Sequence, residues 1–341
     1  MSTLLLFYNE VLSEKIKTSL KETIIILLLL LVYNFSFYYS SFLNEVSIEI
    51  LNYIGAIYIC YVWIKTIKGS GIDHLRFWIL FEFMKRTYLK YFHKDNISYQ
   101  NKLLNEQELN KLLFVVVKIF YIPVMLNFTI NNFNHVDNIL FRIQFYRFSD
   151  FTIAHWYKLF IPFIFFIDTS YFLFGYLFES KKLNNKVKSV DKSGISWLVT
   201  LACYPPLNLV TAKIFPWYAN EENLMVSSPV NEALLLVIIL LFGVYLSATL
   251  SLGPKCSNLT NRGIVTNGIY KYIRHPAYTS KVFAWWLMTL PIMDFGVFIS
   301  MFMWTFIYLF RALKEEDHLL NDPDYQTYYK NTPYRFIPKI F

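Results

Sequence analysis

Apolar positions in this chain gather in long runs parted by short polar stretches, and eight of those runs reach the length of a membrane span. A helix needs about 20 mostly apolar residues to cross the hydrocarbon core of a bilayer. The runs cover roughly 22 to 42, 46 to 64, 111 to 130, 157 to 178, 195 to 214, 232 to 252, 277 to 293 and 295 to 312. They are too long for barrel strands of about 10 residues, and helices are the other structure that satisfies its own backbone in lipid. The expected fold class is all-α, a polytopic integral membrane protein of about eight transmembrane helices whose last two spans form a tight hairpin. One further stretch, Asp73 to Phe92, is aromatic and apolar but broken by Arg76, Glu82, Lys85, Arg86 and Lys90. It reads as an interfacial amphipathic helix, either resting on anionic headgroups or docking a substrate.

Composition agrees with lipid as the solvent. Of 341 residues, 55% are hydrophobic and 16% charged, against roughly 25% charged in a soluble domain; mean hydropathy is +0.36. Glu10, Glu14 and Glu22 lie among the early lysines, and no small-residue cleavage site follows the first run, so that run is expected to stay as a helix. Cys60, Cys203 and Cys256 are scattered, as small core hydrophobes would be, with no metal or disulfide spacing.

Cations collect on alternate sides, which orients the spans. Lys15, Lys17 and Lys21 precede the first. Lys65, Lys68, Arg76, Lys85, Arg86, Lys90, Lys94 and Lys102 fill the second loop, and Lys181, Lys182, Lys186, Lys188 and Lys192 the fourth. Arg142 and Arg147 run against the pattern. The expectation is a multi-pass protein of a bacterial inner membrane with both termini cytoplasmic, and with segments 253–276 and 311–341 on that same face.

Those two segments hold the candidate chemistry. After Gly253-Pro254-Lys255 and Asn261-Arg262-Gly263 comes Tyr270, then Arg274-His275-Pro276-Ala277-Tyr278. Pro276 suits the first turn of a helix, whose N-terminus attracts anions. Arg274 can grip a carboxylate or phosphate, His275 can shuttle protons, and the two tyrosines offer rings and hydroxyls. Across the hairpin, Arg311 and Glu315 stand four apart on one helical face, with Glu316 adjacent and His318 following. The hairpin brings the two sets together. Lys271, Lys281 and Lys314 read as a snorkelling belt at the headgroups. Asp168, an acid in mid-span, is either functional or an interhelical hydrogen-bond partner. Pro205-Pro206 and Asn208 mark a kink. Gly69 and Gly71 open no dinucleotide fingerprint, since His74 stands where its third glycine belongs.

The run from Gly268 through Arg274-His275-Pro276-Ala277-Tyr278-Thr279, an apolar hairpin, and Arg311 to Glu315-Glu316 and Leu319, with Tyr325 and Tyr328-Tyr329 in the tail, resembles the isoprenylcysteine carboxyl methyltransferase and phospholipid methyltransferase superfamily. The resemblance covers about the last 90 residues. It implies S-adenosylmethionine held at the cytoplasmic side and a lipid or lipidated acceptor entering from the membrane, with neither metal nor nucleic acid as partner. Carried over by position, Thr266, Gly268, Tyr270, Arg274, His275, Pro276, Tyr278 and Glu316 would bind the cofactor. Arg311 and Glu315 would sit at the methyl-transfer point. It also implies a division into a transmembrane region of unknown role, residues 1–250, and a cofactor-binding module, residues 251–341. Ser280 departs from the family's usual glycine. The tail from Thr332 to Pro338 resembles that of the NADPH-dependent membrane sterol reductases, although Pro276-Ala277 replaces the Asn-Tyr those enzymes carry after Arg-His. A reductase and a non-catalytic scaffold are the alternatives.

Overall fold

A computed structural model describes residues 2–68, 77–92, 104–143, 151–225 and 228–340. Gly69, Gly71, Asp73, His74, Arg76, Lys94, Lys102 and Arg147 fall outside them. The chain divides into two compact units, Met1–Pro123 and Val124–Phe341, so the expected module at 251–341 lies inside the second.

The first unit opens with α1 (Ser2–Phe35), the short α2 (Phe37–Ser40) and α3 (Glu45–Ile67). α4 (Trp78–Phe92) follows, and then the first part of α5 (Glu106–Ile143). Ser36 interrupts the run expected at 22–42: it takes extended backbone and its hydroxyl caps the Tyr39 amide at 3.3 Å. Asn44 caps α3 the same way, accepting from Ser47 N at 2.7 Å. α4 has 15 residues, about 22 Å at 1.5 Å each, which is short of a roughly 30 Å core. Its open N-terminus is met by the buried Glu22, whose carboxylate accepts from Trp78 N at 2.9 Å and Tyr58 hydroxyl at 3.3 Å. Arg86 forks onto Glu108 at 3.0 Å through both terminal nitrogens, and Ile25, Ile26, Ile79, Leu112 and Val115 pack beneath.

In the second unit the rest of α5 is followed by α6 (Ile153–Leu177), β1 (Ser189–Val190), α7 (Gly194–Leu201) and α8 (Leu207–Ile214). Next come α9 (Pro229–Leu252), β2 (Thr260–Asn261), α10 (Pro276–Thr289), α11 (Phe295–Leu319) and α12 (Pro323–Asn331). The two-residue strands pair antiparallel, Ser189 with Asn261 and Val190 with Thr260, a small exception to the all-helical expectation. α9 packs between α6 and α10, and α11 packs on α10 and α7. Their shared core includes Tyr157, Ile161, Ile238, Phe242, Trp285 and Met301. Gly175 of α6 lets the following loop come close: a Cβ there would lie 2.5 Å from the Cys256 carbonyl oxygen.

Five helices among the described residues are long and apolar enough to cross a membrane: α3, α5, α6, α9 (through Lys255) and α11. They match five of the eight runs. The run at 195–214 is two helices of eight residues each, because Pro205-Pro206, joined by a cis bond, removes two backbone donors and cannot continue the first helix. The run at 277–293 gives a helix of 14 residues, about 21 Å long, which stops at a 3-10 turn holding Pro291. The hairpin therefore pairs one full span with one short helix. Trp217, T-shaped against Trp285 at 4.6 Å and Trp304 at 5.3 Å, holds the segment after α8 against it.

Candidate functional site

The site is built where α10 begins and α11 ends. His275 is the N-cap of α10 and Pro276 its first residue, with no side-chain cap. The tail supplies the missing order: Arg274 N donates to the Tyr334 carbonyl and His275 N to the Arg335 carbonyl, each at 3.0 Å. Glu316, on the last turn of α11, is the hub. Its Oε1 accepts from Arg274 Nε at 2.7 Å and meets His275 Nε2 at 3.1 Å. Its Oε2 accepts from Arg335 Nε at 3.0 Å and Nη2 at 2.8 Å. Arg274 Nη1 also donates to the Thr332 and Pro333 carbonyls at 2.7 Å each, and its guanidinium lies 4.2 Å from the Tyr329 ring centre. Its Nε and Nη1 are thus engaged by protein, which makes Arg274 a clamp on the tail. The hydrogen bonds to Glu316 raise the pKa of Arg335 above the ordinary guanidinium value.

One residue before the hub, Glu315 points elsewhere: its Oε2 accepts from the Tyr278 hydroxyl at 2.7 Å. The Tyr278 ring stacks on His275 at 5.4 Å and 5°. Arg311, four residues back, is buried and donates through Nη2 to Asn258 Oδ1 at 2.5 Å. The rings of Tyr278, Tyr204 and Tyr308 flank it at 5.2, 5.7 and 5.7 Å. Asn258 is itself fixed, its backbone amide donating to Tyr176 hydroxyl at 2.7 Å and its side-chain nitrogen to Tyr204 hydroxyl at 3.2 Å.

Part of this set lines one cavity of about 340 Å³. Tyr270, Arg274, His275, Tyr278, Arg311 and Glu315 border it from the helix ends, and Met125, Phe128, Phe165 and Phe172 from mid-helix. Asp168 opens onto the same cavity, accepting from Tyr245 hydroxyl at 2.7 Å and Thr249 hydroxyl at 2.6 Å. It is therefore an interhelical hydrogen-bond partner that also faces the site. A smaller niche of about 40 Å³, bordered by Ser196, Thr200 and His318, shares Arg311, Tyr278 and Glu315 as its wall.

Some residues named from the sequence lie apart from the cavity lining. Thr266 is exposed. Gly268 is exposed too, with a left-handed φ of +61° where a Cβ would collide with the Ser251 side chain, so the turn before Tyr270 requires glycine. Pro276 is buried, and Glu316 stands behind the wall as the hub just described. Ser280, in place of the family's glycine, is buried and returns its hydroxyl to the Pro276 carbonyl at 2.9 Å. Of the three belt lysines, Lys271 is exposed and Lys314 pairs with Asp317 at 2.7 Å. Lys281 does not snorkel: α10 turns it inward, onto the cavity. Asn258, Tyr204 and Arg335 carried no site signal in the sequence. For Lys281 one was there, since it follows Tyr278 by three residues and so shares its helical face.

Fold and site together describe an α-helical membrane protein with a charged cavity at the base of its last hairpin. Residues 230–322 match the pattern of the isoprenylcysteine carboxyl methyltransferase (ICMT) family. The match takes in α9 to α11 and ends before Tyr329 and Arg335, the tail residues that lock Arg274 and Glu316. No curated protein and no solved structure matches the chain.

Proposed function

We propose that this protein transfers a methyl group from S-adenosylmethionine to a lipid or lipidated acceptor at the cytoplasmic face of a membrane. The observation that carries the reading is a single cavity bordered both by charged side chains from helix ends and by aromatic side chains from mid-helix. A polar donor and an apolar acceptor need such a shared space.

The residues present fit the cofactor. Glu315 keeps one carboxylate oxygen beyond its bond to Tyr278, available to an ammonium or a ribose hydroxyl. Tyr270 and Tyr278 border the cavity with aromatic surface, which favours a cationic sulfonium. Tyr270, His275, Tyr278 and Glu315 would hold the cofactor, with Arg274 and Glu316 keeping that wall in register. When bound, S-adenosylmethionine supplies a methyl group already activated on sulfur, so no covalent enzyme intermediate is needed. The protein's part is orientation and exclusion of water. Arg311, fixed by Asn258 and flanked by three rings, grips an anionic oxygen of the acceptor. Glu315 takes a proton if the acceptor atom is an amine nitrogen; a carboxylate acceptor needs no base.

Incubating the purified protein with tritiated S-adenosylmethionine and membrane lipid extract tests the reading: label should enter the lipid fraction. Binding of NADPH without binding of S-adenosylmethionine would overturn it in favour of a reductase. Failure of both to bind at millimolar concentration would leave a scaffold.

A further inference from the structure

Lys281 is the charged group of the cavity that methyl transfer, as proposed above, leaves unused. It follows Tyr278 by three residues on α10, so it lies on the same face, about 4.5 Å further from the polar end at 1.5 Å per residue. Its ammonium rests among three rings, 5.2 Å from the centre of Tyr245, 5.3 Å from Phe165 and 5.4 Å from Trp285. Ring faces attract a cation but leave its N–H donors unspent. Among the described residues Lys281 makes no hydrogen bond and no ion pair.

Asp168 borders the same cavity without reaching ion-pair distance of Lys281, and both Asp168 oxygens already accept from Tyr245 and Thr249. Arg311 and Arg274 border the cavity too. Three cations, Arg274, Arg311 and Lys281, therefore border one cavity among apolar helices, and among the described residues Lys281 has all its donors open. Donors left unmatched in an apolar setting are costly. An oxygen-bearing ligand removes that cost, and a hydrocarbon chain does not.

We propose that Lys281, backed by Asp168, is a second polar subsite that binds an oxygen of the acceptor lipid about one helical turn beyond the atom that receives the methyl group. The oxygen belongs to a phosphodiester or to an amide carbonyl. This rests on the methyltransferase reading for what happens at Arg311 and Glu315, but not for the binding itself. A lipid whose chain joins the methylated group directly leaves Lys281 unmatched. It should bind about tenfold more weakly, the worth of one hydrogen bond to a charged donor.

Equilibrium binding to the full-length protein in an alkyl maltoside detergent, which carries neither phosphodiester nor amide, decides it, using two matched pairs of tritiated probes. N-palmitoylglycine is set against stearic acid, and hexadecylphosphoethanolamine against hexadecylamine. Wild type should prefer the oxygen-bearing member of at least one pair by about tenfold, and the pair that responds identifies carbonyl or phosphodiester. Lys281→Met should erase the preference while leaving the plain-chain probe within about twofold, and Lys281→Arg should retain it. Because Lys281→Met strands the Asp168 charge, the double variant Lys281→Met with Asp168→Asn serves as the folded control and should lose the preference too. Absence of preference in wild type, or its survival in Lys281→Met, overturns the proposal. Binding preference without methyl transfer would sink the methyltransferase reading alone; methyl transfer without preference would sink the subsite alone.

Discussion

Two adjacent glutamates do different work here because they leave α11 in different directions. Glu316 turns into protein and pairs with two guanidinium groups, Arg274 and Arg335; Glu315 turns to Tyr278 and the cavity. Removing Glu316 strands buried Arg274, so Glu316→Ala should cost about 3–5 kcal/mol of stability and abolish cofactor binding, read as a lower melting midpoint in detergent and a flat titration with S-adenosylmethionine. Glu315→Gln should leave the melting midpoint near that of wild type. Arg311→Ala should lower kcat more than cofactor affinity, because Arg311 faces the acceptor; equal losses in both would place it among the cofactor ligands instead. At this scale the sequence was informative where residues sat near each other in order. Arg274, His275 and Glu315 stood out through their spacing around the hairpin. Asn258 and Arg335 did not, because a loop amide and a tail arginine become partners only through folding over long separations.

At the scale of elements, the small β1–β2 ladder and α12 form a latch on the loop of residues 181–192. Lys188 bridges Asp322 and Asp324 at 2.9 Å each, and Asn261 donates to Asp322 at 2.7 Å. Burial works against ionising Asp322, but Asn261 and Lys188 outweigh it and hold the carboxyl below its ordinary value. Asp324 and Asp322 raise Lys188 above its own. The Asp322 contribution is therefore present at neutral pH and is lost as pH falls through that lowered pKa. The Lys188 contribution is lost only as pH rises through its raised one. Asp322→Asn should speed trypsin cleavage after Lys188 at neutral pH. Helix breaks were the least legible elements. Hydropathy alone reads 195–214 as one span, although Pro205-Pro206 divides it, and a window long enough to detect a span is too coarse to register Ser36.

For the whole molecule, apolar patterning was enough to place the chain in lipid and to find five of its long helices, since length and hydropathy are the properties a bilayer selects. It was not enough to tell a full span from the short α10, whose apolar run continues through a turn. The cavity offers a check on this scale through its cysteines: Cys203 lines it, Cys60 is exposed and Cys256 is buried. A small maleimide should label Cys203 and spare both the packed Cys256 and Cys60, which lies within the α3 span and faces lipid, and a bound acceptor lipid should slow Cys203; fast labelling of Cys256 would contradict the packing of α6 against the loop at Gly175.

Glu316 also sets an order in time. Arg274 and Arg335 meet on it from far-apart positions in the chain, and a chain emerging from the ribosome makes the first long before the second. Until the tail has been synthesised and laid over α10, the helices can insert and pack, but the wall of the cavity has no lock. Assembly of the site then waits on the tail, and a product stopped ahead of Arg335 would be inserted yet lack the lock.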